Sequence, residues 1–236
     1  MHRRTIWTGA AAAFGLALAW FASAQELPQP RVVSALEGKP PSDAVVLFDG
    51  KSIEEWVYSD GKPAGWIVKG GAMTVKGGGI MTKREFGNMQ LHIEWATPSP
   101  PKGTGQNRGN SGVYLAGIYE LQVLDSYENE TYADGSAGAL YKQYPPLVNA
   151  SRPAGEWQTY DIIFHVPIFD SNGQIMRPAT LTVLHNGLLI QDHVEIKATP
   201  GGVRTTEGPK GPIFLQDHKD HYNPVKYRNI WVRELK

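Results

Sequence analysis

The sequence predicts an all-β fold in which two antiparallel sheets pack as a sandwich. Two observations carry that expectation. Short β-type runs recur between turns built of Gly, Pro, Asn and Asp, and almost no segment carries an apolar stripe at the helical period of 3.6 residues. The 26 glycines and 17 prolines suit a chain of many tight turns. No heptad run, internal repeat or low-complexity tract competes with that reading.

The elements follow in order. Met1-His-Arg-Arg4 is basic, Ile6 to Phe21 is almost wholly apolar, and Ala22-Ser-Ala24 is a small-residue site. This is the pattern of a secretory signal peptide cleaved after Ala24, and the apolar run is short for a membrane span. The expected location is therefore the periplasm or the exterior, with no membrane attachment once residues 1–24 are removed. With no cysteine in the chain, lipid anchors, disulfides and thiolate chemistry are excluded. The 212 residues from Gln25 onward suffice for one core. Loss of two arginines from a balance of 23 basic and 23 acidic residues leaves a formal charge of −2, which offers nucleic acid or anionic membrane no basic face.

Residues 25–43 hold four prolines and read as an extended leader onto a domain spanning 44–236. Val45–Phe48 is a first strand, closed by Asp49-Gly50. Trp56, Trp66–Val68 and Ala72–Val75 read as a meander around the Gly70-Gly71 turn. From Met89 to Trp95 the alternation is strict, with Leu91, Ile93 and Trp95 on one face and Gln90, His92 and Glu94 on the other, where His92 reads as a solvated strand histidine. Trp157–Val166 is another strand. Ala179–His185, apolar on both sides, is expected to lie centrally, and Asn186-Gly187 is a strong hairpin signal into Leu188–Ile196. Ile213–Leu215 and Tyr227–Leu235 complete the set.

Two long loops, Thr97–Gly109 and Thr131–Glu156, flank a β segment that carries a carboxylate and an amide on one face. Tyr132, Tyr141 and Tyr144 of the second loop either stack on sugar rings or cap the core. Between the loops, Val113–Leu115 and Tyr119–Leu124 form strands in which Glu120 and Gln122 share one face. Near the C-terminus, Phe214, Gln216 and His218 share a side by the same alternation. The candidate site set is Glu120, Gln122, Asp125, Gln216, Asp217 and His218, with Arg108 and Asn110 on the loop leading in. A carboxylate with a histidine can do acid and base work near neutral pH, while amides and arginine hold oxygens. No His-Glu-x-x-His, calcium-loop, dinucleotide or nucleophile-elbow motif is present.

Taken together, the segments resemble the 3-keto-disaccharide hydrolase domain family, which has the concanavalin A-like lectin/glucanase sandwich. The resemblance rests on Leu47-Phe-Asp-Gly-Lys51, Asn110-Ser-Gly-Val-Tyr-Leu115, Tyr119-Glu-Leu-Gln-Val-Leu-Asp-Ser126, Gly138-Ala-Leu-Tyr141, Gly211-Pro-Ile-Phe-Leu-Gln-Asp-His218 and Tyr227-Arg-Asn-Ile-Trp231, in family order. Ile118 stands where relatives carry an arginine, and Lys219–Tyr222 is an insertion.

The resemblance implies a jelly-roll-like sandwich with a ligand groove and a small carbohydrate as substrate. It also implies cleavage of glycosides of 3-keto sugars, by C2 proton abstraction and elimination with hydration, or by net hydrolysis. In that reading Glu120 and His218 share the acid/base work and Asp125 orients or ligates. Arg108, Asn110, Gln122, Tyr141, Gln216 and Asp217 bind substrate. The resemblance fixes no required cofactor, and the enolate oxygen calls for hydrogen-bond donors or a metal. A divalent metal on Asp125, Glu128, Glu130, Asp217 and His218 is the alternative to a merely solvated acidic loop. A non-catalytic carbohydrate-binding module is the alternative to an enzyme.

Overall fold

The structure, a computed structural model, describes residues 27, 29–219 and 224–236. The signal-type segment at 1–24 and most of the insertion at 219–222 lie outside the described residues. The chain divides into two units, residues 1–32 and 33–236. In the first, Leu27 and Val32 are exposed.

The second unit is the expected two-sheet antiparallel sandwich. Its strands in chain order are β1 (Val45–Phe48), β2 (Trp56–Tyr58), β3 (Ile67–Lys69), β4 (Ala72–Thr74), β5 (Ile80–Thr82) and β6 (Met89–Ala96). Then come β7 (Ser111–Leu115), β8 (Tyr119–Val123), β9 (Gln158–His165), β10 (Ile168–Phe169) and β11 (Ile175–Arg177). β12 (Ala179–His185), β13 (Leu188–Ile196), β14 (Phe214–Leu215) and β15 (Lys226–Glu234) complete the chain. One sheet has eight strands, ordered β13-β12-β9-β6-β15-β4-β3 with β1 also on β15; the other has five, ordered β2-β5-β14-β7-β8.

Alternation explains which side chains meet. β6 and β9 bury every second residue, and Leu91, Ile93, Trp95, Tyr160, Ile162 and Phe164 line the inner face of the large sheet. Val113, Leu115, Leu121, Val123, Ile80 and Leu215 supply the inner face of the small one. Full burial of each such aliphatic or aromatic side chain contributes about 1.5–3 kcal/mol. The Asn186-Gly187 turn has both residues at positive φ, 52° and 81°, as a two-residue hairpin requires.

Three expectations are corrected. β3 and β4 form the hairpin at Gly70-Gly71, but β2 pairs with β5 in the other sheet, so there is no single meander. β12 is hydrogen-bonded on both sides yet lies second from the edge, and its outer face of Thr182 and Leu184 is only half-buried. His92 is not a freely solvated histidine. Its Nδ1 lies 2.7 Å from Asp161, its ring stacks on Trp231, and Glu94 in turn takes Arg228 at 2.6 Å. Burial alone would lower the imidazole's pKa, but the hydrogen bonds to Asp161 and Glu94 win and raise it to about 9. The sequence reading also missed the small β10–β11 hairpin around Asp170–Gly173.

Candidate active site

β7 and β8 are buried on both faces although they carry Ser111, Glu120 and Gln122. Their inner face meets the core; their outer face is covered by the two long loops and by the segment around Thr199–Gly201. The hairpin register sets Tyr114 opposite Glu120 and Gly112 opposite Gln122. Ala116 (φ 49°) and Gly117 (φ 70°) form the turn, closed by the Ile118 N–H on the Leu115 carbonyl at 3.1 Å. The free edge of β8 is taken by the loop around residues 138–141. The Gln122 N–H bonds the Ala139 carbonyl at 2.9 Å, and the Tyr141 N–H bonds the Glu120 carbonyl at 3.3 Å. On the other side the Gln216 N–H binds the Gly112 carbonyl at 2.9 Å.

These strands and loops enclose a cleft of about 90 Å³. Of the residues expected at the site, it is lined by Asn110, Glu120, Gln122, Tyr141, Gln216 and His218, with His218 exposed at the mouth. It is also lined by Gln106, Tyr114 and Pro200, which the sequence reading did not single out. Tyr114 was legible, because a turn at Ala116-Gly117 forces it opposite Glu120. Gln106 sits in a 3-10 turn at Gly105–Asn107, where no alternation marks a side chain's direction.

The amides form a fixed wall. Gln122 Nε2 donates to Gln106 Oε1 at 3.1 Å and to Asn110 Oδ1 at 3.3 Å; Asn110 Nδ2 donates to the Gln106 carbonyl at 2.8 Å; Gln106 Nε2 is held by Thr131 and the Gly135 carbonyl. The side-chain oxygens Oε1 of Gln122 and Gln216 are buried without a partner. A buried acceptor of this kind is matched by a ligand hydroxyl. Glu120 is 3% exposed, and burial raises its carboxyl pKa to about 7, against the opposing effect of a hydrogen bond from Tyr114. Such a carboxyl exchanges a proton readily at neutral pH. Tyr141 is braced at the rim by the Tyr132 hydroxyl, 2.8 Å from its own.

Gly112 makes room for this carboxylate. A Cβ there would lie 2.6 Å from Glu120 Oε1 and 3.0 Å from Tyr114 Cε2. Gly112→Ala should therefore keep the fold, checked by circular dichroism, yet lower turnover about 10²-fold by displacing the carboxylate by about an ångström. An unchanged rate would contradict this placement of Glu120.

Other expected site residues lie elsewhere. Arg108 and Asp125 form a buried pair at 2.7 Å, with the Arg108 guanidinium also on the Tyr127 and Glu128 carbonyls at 3.1 and 3.3 Å. Neither lines the cleft, so Asp125 acts from this position as a loop anchor. The carboxylate of Asp217 accepts the N–H groups of Gly78 and Lys219, both at 2.8 Å, and also stays outside. Ile118 joins the hydrophobic core; the position at which relatives carry arginine does not face the cleft here. Among the described residues no three His, Asp or Glu side chains converge as a metal-binding group, so Asp125, Glu128, Glu130, Asp217 and His218 are not gathered into one.

The sequence model of the 3-keto-alpha-glucoside-1,2-lyase-like domain matches residues 43–233. A candidate glycosyl hydrolase from Parabacteroides distasonis has a solved structure that is 44% identical, with a TM-score of 0.80; the alignment covers 90% of this chain and 95% of that one. Two further candidate glycosyl hydrolases of the same organism share the fold at 19% and 21% identity. Their TM-scores are 0.59 and 0.57, and the alignments cover 82% and 81% of this chain and 94% and 99% of theirs. Among curated proteins, none matches the chain. Among the described residues no helix is long and apolar enough to cross a membrane.

Proposed function

We infer the activity from the family to which this chain belongs, that of the 3-keto-alpha-glucoside-1,2-lyase-like domain, and from the contents of its cleft. The protein is a carbohydrate-active enzyme, and the proposed reaction is cleavage of glycosides of 3-keto sugars. The observation that carries the proposal is that Glu120 is the one carboxylate among the described residues lining the cleft. Direct glycoside hydrolysis uses two carboxylates facing each other across the bond. Elimination needs only one base, because a ketone at C3 makes the C2 proton acidic.

In this mechanism the Glu120 carboxylate takes the C2 proton and the electron pair passes into an enolate on the C3 oxygen. The pair then returns to form the C1–C2 double bond as the C1–O bond breaks. His218, at the mouth, passes a proton to the departing oxygen. Water then adds its oxygen to C1 and gives up a proton to His218, restoring the proton that went to the leaving group, while a proton returns to C2 from Glu120, which completes net hydrolysis. The second amide hydrogen of Gln216 donates to a substrate oxygen, the free side-chain acceptors of Gln122 and Gln216 take sugar hydroxyls, and Asn110, whose amide hydrogens both go to Gln106, fixes the wall that the substrate meets. The Tyr141 ring forms the wall at the rim. We place the reaction in the periplasm or outside the cell on the signal-type segment at 1–24.

The test is incubation with a 3-keto-glucoside carrying a chromogenic leaving group, beside the same glucoside unoxidised. Release from the keto form alone supports the proposal. Binding of both without release from either would favour a carbohydrate-binding module, and release from the unoxidised glucoside would favour direct hydrolysis.

A further inference from the structure

We propose that Tyr114 is the positioning residue for Glu120: its phenol donates a hydrogen bond to the carboxylate and holds it against the cleft wall. The proposal rests on the reading of Glu120 as the base. It starts from the hairpin register, which sets the two residues directly opposite on one face, at a separation where cross-strand side chains touch.

The phenol oxygen has one hydrogen to give and lone pairs to fill. Gln216 Nε2 donates to it at 3.2 Å, so the oxygen is an acceptor there. In the structure its hydrogen goes to the Pro200 carbonyl at 3.4 Å, a long bond, and the Glu120 carboxylate across the strand pair is the competing acceptor. A charged acceptor makes the shorter and stronger bond. When Glu120 is ionised the hydrogen goes to the carboxylate; once Glu120 has taken a proton, Pro200 becomes the better acceptor. The hydroxyl thus favours the form of Glu120 that acts as base.

The surroundings keep this pair free to work. A Cβ at Gly112 would strike Glu120 Oε1, and one at Gly201, where φ is +101°, would stand 2.9 Å from the Tyr114 hydroxyl. Burial, then the nearby Glu120 charge, holds the phenol protonated well above its ordinary range, so it remains a donor. The other titratable groups facing Glu120 are Tyr141 and Tyr132 of the loop, Tyr227 of β15 and His218. Among the described residues no lysine or arginine lines the cleft, and in this proposal the phenol is the donor that opposes the cost of burying the carboxylate.

The experiment follows the Glu120 carboxyl carbon by NMR in 13C-labelled protein, with the resonance assigned by its loss in Glu120→Gln. The wild type should titrate at about 7. Tyr114→Phe should raise the midpoint by about one pH unit, the size expected for losing a hydrogen bond to a charged group. The rising limb of the kcat/KM pH profile should move with it. Placing 3-fluorotyrosine at position 114 keeps every contact with a stronger donor and should lower the midpoint, which guards against a phenylalanine variant that fails to fold. A midpoint unmoved by both changes overturns the proposal even if activity is lost. A midpoint that moves in a protein unable to cleave any 3-keto glycoside supports the hydrogen bond and overturns the assigned reaction instead.

Discussion

Glu120→Gln is expected to lower turnover of a 3-keto-glucoside by about 10²–10⁴-fold, the range for loss of a positioned general base. The same substitution should make the folded protein more stable above neutral pH. The sign follows from the carboxyl's pKa, raised from 4.5 to about 7. The folded state holds this proton more tightly than the unfolded chain does. Stability is therefore full below pH 4.5 and falls as pH rises through 7, at a cost of roughly 3 kcal/mol for a group this buried. Glutamine is nearly isosteric and has no charge to desolvate, so it avoids that cost. An active protein whose kcat/KM rises through about pH 7, beside an inactive variant of higher melting temperature at alkaline pH, is the expected pair of results. Equal activity in both would remove Glu120 from the chemistry.

Arg108→Ala should destabilise the fold by about 3–5 kcal/mol, because it strands a buried carboxylate. Asp125 is 3% exposed, its Oδ2 is held by Arg108, and its Oδ1 is buried without a partner. The guanidinium also ties the 127–128 segment to the loop that carries Gln106 and Asn110. Urea unfolding measures the loss, and KM should rise as the amide wall loosens. Replacing the pair together, by Arg108→Met with Asp125→Leu, should cost less than the single change, because no charge is left unpaired. Equal stability of Arg108→Ala and wild type would show that the pair contributes nothing to the anchor.

The strands were legible in the sequence wherever one face met the core and the other water. Met89–Ala96 alternates without a break, and Asn186-Gly187 selects its own turn. Sheet membership was less legible, since the run at Trp56 says nothing about whether its partner is β3 or β5. At the site, strand alternation correctly grouped Glu120 with Gln122, and Gln216 with His218. It had no authority over Asp125, which follows the last strand residue, Val123. A buried carboxylate that anchors a loop and one that lines a cleft look alike in sequence, and only the nearby guanidinium of Arg108, seventeen residues earlier, separates them. Asp217 was misplaced for a related reason: its neighbours Gln216 and His218 line the cleft, while its own side chain turns to the N–H of Gly78. The masking of residues by loops was equally hidden, and it is the roof over β7 and β8 that buries Glu120 and shifts its pKa.

In the proposed reaction one carboxylate drives cleavage by removing the C2 proton. The direct measurement is the rate of leaving-group release from a 3-keto-glucoside carrying deuterium at C2, against the same compound with hydrogen. Slower release from the deuterated substrate is the result expected of elimination followed by hydration, with deuterium leaving C2 only in the turnovers in which the buried Glu120 carboxyl exchanges with water before it returns the proton. Equal rates with C2 deuterium retained in the product would mean that the glycosidic bond breaks without touching C2, and would contradict the account.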